Sequence, residues 1–263
     1  MTTEPTRFPY PSGTCGIAWT DITLNPGLYG CSKVSPACKH CYAEMMAARL
    51  AKMGQAHYEG ATKDGHWTGR VTVRPIEEAV AKVLAVPRAR GGALRYVFVT
   101  SMSDVLHEDV PVEWTAAIVR AMGSRPDVTW QLLTKRARRY PELVAALGIA
   151  WPWNVWAGAT VESDDYADRL GGLAEVPGVR WVSAEPLVGR IPVPDWLSWV
   201  VVGGESGDGW RPMDYGHVRD VQAQCADKGI AFFFKQAAGF SPRKDLGDAP
   251  EDVRVREMPW MAA

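Results

Sequence analysis

Tyr96-Val97-Phe98-Val99-Thr100-Ser101-Met102-Ser103-Asp104 runs from a short apolar stretch of β-formers straight into a polar cluster, and Pro111 then opens a helix-like segment. The same rhythm recurs at residues 129–134, 155–161, 180–184, 199–202 and 231–234, where Val, Phe, Trp and Ile dominate. Runs this short and this apolar read as buried parallel strands. Helix starts lie between them. Pro111 and Pro141 suit the first helical position, Ser163 and Asp214 suit N-caps, and Asp164 and Asp165 complement a helix dipole. Strand and helix alternating at this spacing predict an α/β fold, a parallel sheet or barrel with right-handed crossovers.

Upstream the pattern is less regular. Residues 43–53, closed by Gly54, and 76–86, after Pro75, read as amphipathic helices, whereas 54–70, rich in Gly, His and Lys, reads as an exposed loop. One domain over 1–240 with a loosely structured appendage at 241–263 is the economical division. With 47% apolar and 22% charged residues, the 263-residue chain can bury a sizeable core and is not compositionally disordered. Its 29 Lys and Arg against 30 Asp and Glu exclude a protein that holds nucleic acid through overall basic charge, so any such contact needs a local patch. Residues 1–11 lack the pattern of a signal peptide, and no apolar run reaches membrane-spanning length, so a soluble, cytoplasmic protein is expected.

Three of the five cysteines crowd into Cys31-Ser32-Lys33-Val34-Ser35-Pro36-Ala37-Cys38-Lys39-His40-Cys41, a C-x6-C-x2-C loop that leads directly into a helix. Soft thiolates suit iron–sulfur iron, and three of them leave one iron of a four-iron cluster without a protein ligand. The helix N-terminus beside Cys41 favours a negative cluster and the thiolate form. A zinc site completed by His40 or Cys15, and ordinary thiols, are the alternatives. Against zinc, no second Cys or His pair with ligand spacing exists. Cys15, on a first strand, and Cys225, on the apolar face of the helix after Asp214, read as buried thiols.

In parallel α/β barrels the site forms where strands end. Read that way, the mouth carries Ser101, Ser103, Asp104, Thr134, Lys135, Arg136, Thr160, Glu162, Glu185, Glu205, Ser206, Lys235 and Gln236. Any one of these is also an ordinary loop charge or cap; their recurrence makes the set a candidate. The run Lys135-Arg136-Ala137-Arg138-Arg139 reads either as a phosphate or carboxylate site or as a solvated helix start. Trp151, Trp153 and Trp156 offer stacking surfaces for a base, with core packing the stronger reading for Trp156.

The chain resembles a phage-encoded family of radical-SAM-like proteins, also found in bacterial genomes. The resemblance is carried by Gly16-Ile17-Ala18-Trp19-Thr20-Asp21, the cysteine loop, Ser101-Met102-Ser103-Asp104, Leu133-Thr134-Lys135-Arg136, Ser183-Ala184-Glu185-Pro186-Leu187, Gly203-Gly204-Glu205-Ser206-Gly207 and Phe232-Phe233-Phe234-Lys235-Gln236. It implies a partial (β/α) barrel of the radical-SAM type, with a [4Fe-4S] cluster on Cys31, Cys38 and Cys41 that binds S-adenosylmethionine and cleaves it reductively. It also implies an electron donor such as flavodoxin or ferredoxin. The common spacing in such enzymes is C-x3-C-x2-C, three residues shorter in the first interval. Gly203-Gly204-Glu205 lies too late in the chain for the usual Gly-Gly-Glu role, and 101–104 is nearer that place. The expected cofactor-binding residues are Tyr42, Ser101, Ser103, Asp104, Lys135, Arg136, Glu162, Glu185, Glu205 and Lys235. Phage occurrence of the family suggests modification or rearrangement of a nucleobase in DNA. Two other functions compete, a non-catalytic nucleic-acid-binding protein stapled by its metal and a zinc hydrolase.

Overall fold

The computed structural model describes residues 9, 11, 15–88, 95–240, 246 and 249–259. Its centre is a seven-stranded, all-parallel sheet whose strands follow one another in chain order. The strands are β1 (Ile22–Leu24), β6 (Arg95–Val99), β7 (Val128–Thr134), β8 (Val155–Thr160), β9 (Arg180–Ala184), β10 (Trp199–Gly203) and β11 (Ala231–Gln236). Each of the five main apolar runs expected between residues 129 and 234, and the run at 96–100, coincides with one of these strands to within two residues. Short antiparallel pairs supplement them: β2 (Leu28–Tyr29) with β5 (Thr72–Val73), and β3 (Thr62–Lys63) with β4 (His66–Trp67). Among the described residues six α-helices connect the strands: α1 (Tyr42–Lys52), α2 (Ile76–Leu84), α3 (Val112–Gly123), α4 (Tyr140–Leu147), α5 (Arg169–Ala174) and α6 (Tyr215–Lys228).

A sheet with strands in sequential order and crossovers of one hand keeps its helices on one side and curls the other side upon itself. The side chains follow this division. Val97 and Val99 of β6, Trp130 and Leu132 of β7, Val182 of β9 and Val200 and Val202 of β10 pack with α2 to α6 in one core. Their alternate neighbours, Tyr96, Phe98, Trp156, Trp181, Trp199 and Phe233, form a second, aromatic core with Trp19 and Met258 inside the curl. Period-two alternation therefore sorts each strand between two cores. Gly158 is required by the inner one: a Cβ there would lie 2.4 Å from the Trp181 ring and 2.7 Å from the Leu132 carbonyl oxygen. β1 and β11 do not pair with each other, so the barrel is partial. Backbone bonds from Phe234 N to Val255 O (2.7 Å) and from Glu257 N to Phe232 O (2.8 Å) cover the β11 edge.

Several local expectations change. Segment 54–70 is no simple loop: it holds the β3–β4 hairpin and buries Tyr58 and Ala61, because aromatic and small residues there pack under α1. Cys15 sits in a turn before β1 rather than on a strand. Pro111 occupies the N-cap of α3, one position earlier than expected, and Asp214 caps α6 by accepting from Gly216 N at 2.7 Å. Ser163 precedes a short 3-10 turn and makes no capping bond. Within the expected appendage, residues 241–245, 247–248 and 260–263 lie outside the described residues, and Ala249, Val253 and Met258 are buried.

Candidate functional site

The cysteine loop begins where it does because Gly30 allows it. Its φ is +88°, and a Cβ would sit 2.0 Å from the Arg70 carbonyl oxygen, so no other residue fits. Gly30 bridges Ser103, which fastens the loop to the segment after β6. Cys38 follows on a 3-10 turn (Pro36–Cys38), and Cys41 is the N-cap of α1. All three thiols line one cavity of about 580 Å³ at the carboxyl ends of the strands. Burial, reinforced by Asp104, pushes the Cys31 thiol up to about 12. Burial also raises Cys41, opposed by the N–H groups of Glu44 and Ala43 at the helix start. The two thiols are therefore protonated at neutral pH. Cys15 donates to Thr20 O at 3.8 Å away from the cavity lining, and Cys225 is on the buried face of α6. Among the described residues no three His, Cys, Asp or Glu side chains gather closely enough to hold a single metal ion.

Of the ten other expected site residues, nine line the same cavity: Tyr42, Ser101, Ser103, Asp104, Lys135, Arg136, Glu185, Glu205 and Lys235. Glu162 does not. It is fully buried behind the wall, where it accepts from Lys135 Nζ, from Ser35 Oγ (2.7 Å) and from Arg169 Nη1 (2.7 Å). Burial alone would raise its carboxyl, but Lys135 and Arg169 outweigh that and hold it below the ordinary range.

Lining the cavity is not the same as facing a ligand, and several of these groups are already taken. Asp104 accepts four bonds, from Thr134 Oγ1 (2.6 Å), Leu106 N (3.0 Å), Lys135 N (3.0 Å) and Arg136 Nη1 (3.0 Å). Arg136, 2% exposed, also donates to Glu108 and to the side chain and carbonyl of Ser32 (2.6 and 3.3 Å). Burial alone would lower its pKa, but Asp104 and Glu108 more than reverse that, so the cation persists. Asp104 and Arg136 thus hold the residue after Cys31 onto the barrel, where the sequence suggested cofactor contacts. The physical reason is that a buried charge finds a protein partner or stays in water.

Glu205 is clamped by Arg211 through Nε (2.9 Å) and Nη2 (2.7 Å), and Arg211 reaches Pro36 O of the cysteine loop at 3.5 Å. Ser103 Oγ donates to Leu28 O at 2.9 Å, and Tyr42 OH donates to Ser101 O. Lys235 of β11 pairs with Glu185 beyond β9, across the intervening β10. Gly203 leaves room for that reach, since a Cβ there would come within 3.1 Å of Glu185 Cγ and press the side chain aside. Glu185 Oε1 is buried with no hydrogen-bond partner, so this pair remains incompletely satisfied.

The basic run is largely spent within the protein. Lys135 pairs with Glu162, Arg136 with Asp104, Arg138 with Glu108 (3.3 Å) and Arg139 with Glu142 (2.9 Å). Trp151 and Trp153 precede β8, whereas the cavity lies beyond the other ends of the strands, and Trp156 is inside the aromatic core. None of these three Trp side chains lines the cavity, and each cation of the run has a carboxylate partner within the protein. The sequence reading missed Met45, Met46, Arg49 and Phe240, which line the cavity. The first three follow Tyr42 at helical spacing, a signal that was present; Phe240 carries none.

Residues 14–259 match the family model described as Protein of unknown function (DUF5131). The chain belongs to this family. No curated protein matches it in sequence. Among solved structures it is similar to spore photoproduct lyase complexed with dinucleoside spore photoproduct, at 11% identity and a TM-score of 0.46, covering 82% of this chain and 63% of the lyase chain. It is also similar to two cysteine mutants of spore photoproduct lyase, each 12% identical, with TM-scores of 0.45 and 0.44. Those matches cover 86% and 88% of this chain and 58% and 59% of theirs. The chain thus spans about three-fifths of the length of the solved structures it matches. Among the described residues no helix is long and apolar enough to cross a membrane.

Proposed function

We propose that this chain is a radical-SAM enzyme whose reaction takes place in the cavity over the strand ends. The observation that carries the reading is that Cys31, Cys38 and Cys41, from a single loop, line the same cavity as the Glu185–Lys235 pair. Three soft thiols at one cavity, with Cys15 and Cys225 elsewhere, fit a [4Fe-4S] cluster that keeps one iron open. Bound there, the cluster would supply the electron that cleaves S-adenosylmethionine, itself refilled by a donor such as flavodoxin or ferredoxin. The chain's own residues have defined tasks. Arg136, Asp104 and Arg211 anchor the loop, the aromatic core below closes the floor against water, and Glu185 and Lys235 offer an acceptor and a cation to the amino and carboxylate groups of the cofactor. Tyr42, Ser101 and Ser103 complete the wall nearest the cysteines. The substrate we assign is a nucleobase in phage DNA, modified or rearranged after loss of a hydrogen atom.

Anaerobic reconstitution with iron and sulfide, followed by assay for 5′-deoxyadenosine, tests this. The parent protein is expected to show broad iron–sulfur absorption and to form 5′-deoxyadenosine with a reductant. Cys38→Ala is expected to lose the iron, and Glu185→Gln to keep it while binding S-adenosylmethionine more weakly. Equal iron in Cys38→Ala and the parent, or zinc in place of iron with no 5′-deoxyadenosine, overturns the reading.

A further inference from the structure

α1 turns an unusual face outward. Tyr42, Met45, Met46, Arg49, Lys52 and Met53 recur at helical spacing, and every one is exposed. A helix packed on a barrel normally shows solvent a charged stripe; here apolar and aromatic side chains alternate with cations. The helix buries its opposite face, Ala43, Glu44 and Ala47, against Tyr29, Tyr58 and Met102. Phe240, beyond β11, is 74% exposed. Tyr42, Met45, Met46, Arg49 and Phe240 also line the cavity, so this rim is continuous with the interior where the thiols lie.

The exposed charge of α1 is one-sided. Arg49 and Lys52 have no carboxylate partner among the described residues, and the one acidic residue of α1, Glu44, is buried and paired with Lys33 at 2.9 Å. In a chain whose net charge is −1, unpaired cations beside exposed apolar side chains mark a local site for a polyanion. Bases stack on aromatic or flexible methionine side chains while phosphates meet the cations. Duplex DNA hides its base faces, so the matching form is an unpaired strand or an extruded nucleotide. An acidic electron-donor protein would share the charge but has no need to enter the cavity, and these side chains form the entry itself.

We infer that this rim is the docking surface for a single-stranded or flipped-out segment of nucleic acid, with α1 and Phe240 together holding the strand beside the base delivered to the cavity. The inference rests on the cavity being the reaction site and deepens it by naming what holds the substrate. The test uses the reconstituted full-length protein and a fluorescein-labelled single-stranded oligothymidylate, with binding followed by anisotropy at several salt concentrations. The parent is expected to bind with an affinity that falls as salt rises. The double variant Arg49→Glu/Phe240→Ala is expected to bind about tenfold more weakly or worse. Arg219→Glu, on the far helix α6, is expected to bind as the parent does. Circular dichroism and iron content check that the double variant is folded and loaded.

Absence of oligothymidylate binding at low salt, or parental affinity in the double variant, overturns the inference. So does a double variant that binds the oligonucleotide normally but is reduced more slowly by flavodoxin, which would give the face to the electron donor. Binding through this face in a protein that never forms 5′-deoxyadenosine would leave the docking surface standing and remove the radical-SAM reading. The opposite pairing of results would do the reverse.

Discussion

Removing the Arg136 guanidinium should destabilise the protein and loosen the cysteine loop together. In Arg136→Ala the loss has three parts. Asp104, itself buried, loses one of four donors; Ser32 loses donors to both its carbonyl and hydroxyl; and Glu108, 44% exposed, loses a partner that water largely replaces. Breaking a buried ion pair by deleting one member costs about 3–5 kcal/mol. Asp104 keeps Thr134 Oγ1 and the N–H groups of Leu106 and Lys135, which places the expected loss at the lower end, about 3 kcal/mol. For a chain of this size that corresponds to a fall in Tm of about 6–12 °C. Thermal and urea unfolding of the protein without reconstitution measure it. Arg136→Lys should recover only part, since one ammonium cannot reach Asp104, Glu108 and Ser32 at once. Iron retained after reconstitution should fall in the Ala variant, because Ser32 adjoins Cys31. A melting point within about 2 °C of the parent would refute the claim that this cation anchors the loop.

Two further outcomes follow from the packing and the buried charges. Gly158→Ala should cost about 3 kcal/mol by overpacking, because Trp181 is fully buried between Trp19 and Trp199 and cannot yield; calorimetry showing an unchanged Tm would contradict that. Glu162 has its folded pKa below the ordinary 4.5, so its ionised form stabilises the protein above that value, and the benefit drains away as pH falls through the lowered folded value. Glu162→Gln should therefore be clearly less stable than the parent at pH 7, with the gap narrowing below about pH 4.5; urea unfolding at several pH values that finds a constant gap would disprove the coupling.

The sequence by itself marked neither β1 nor the short antiparallel pairs, but it determined six of the seven sheet strands, the helices between them and the cysteine loop. Each is local: a buried parallel strand is written as one apolar run, and three ligands within eleven positions are visible as spacing. The strand-end rule also placed Ser101, Ser103, Glu185 and Lys235 at one mouth, since sequential parallel strands bring those ends together. Tertiary structure alone decided which of these groups remain available. Asp104 with Arg136, Glu162 with Lys135, and Glu185 with Lys235 are separated by 32, 27 and 50 positions, and only the neighbouring of strand ends brings each pair within reach. The sequence likewise marked α1 as amphipathic, but not that its Met and Tyr face would border the cavity. A single strand or helix encodes its own periodicity, whereas a charge is neutralised, and a face covered, by whatever the completed fold sets beside it.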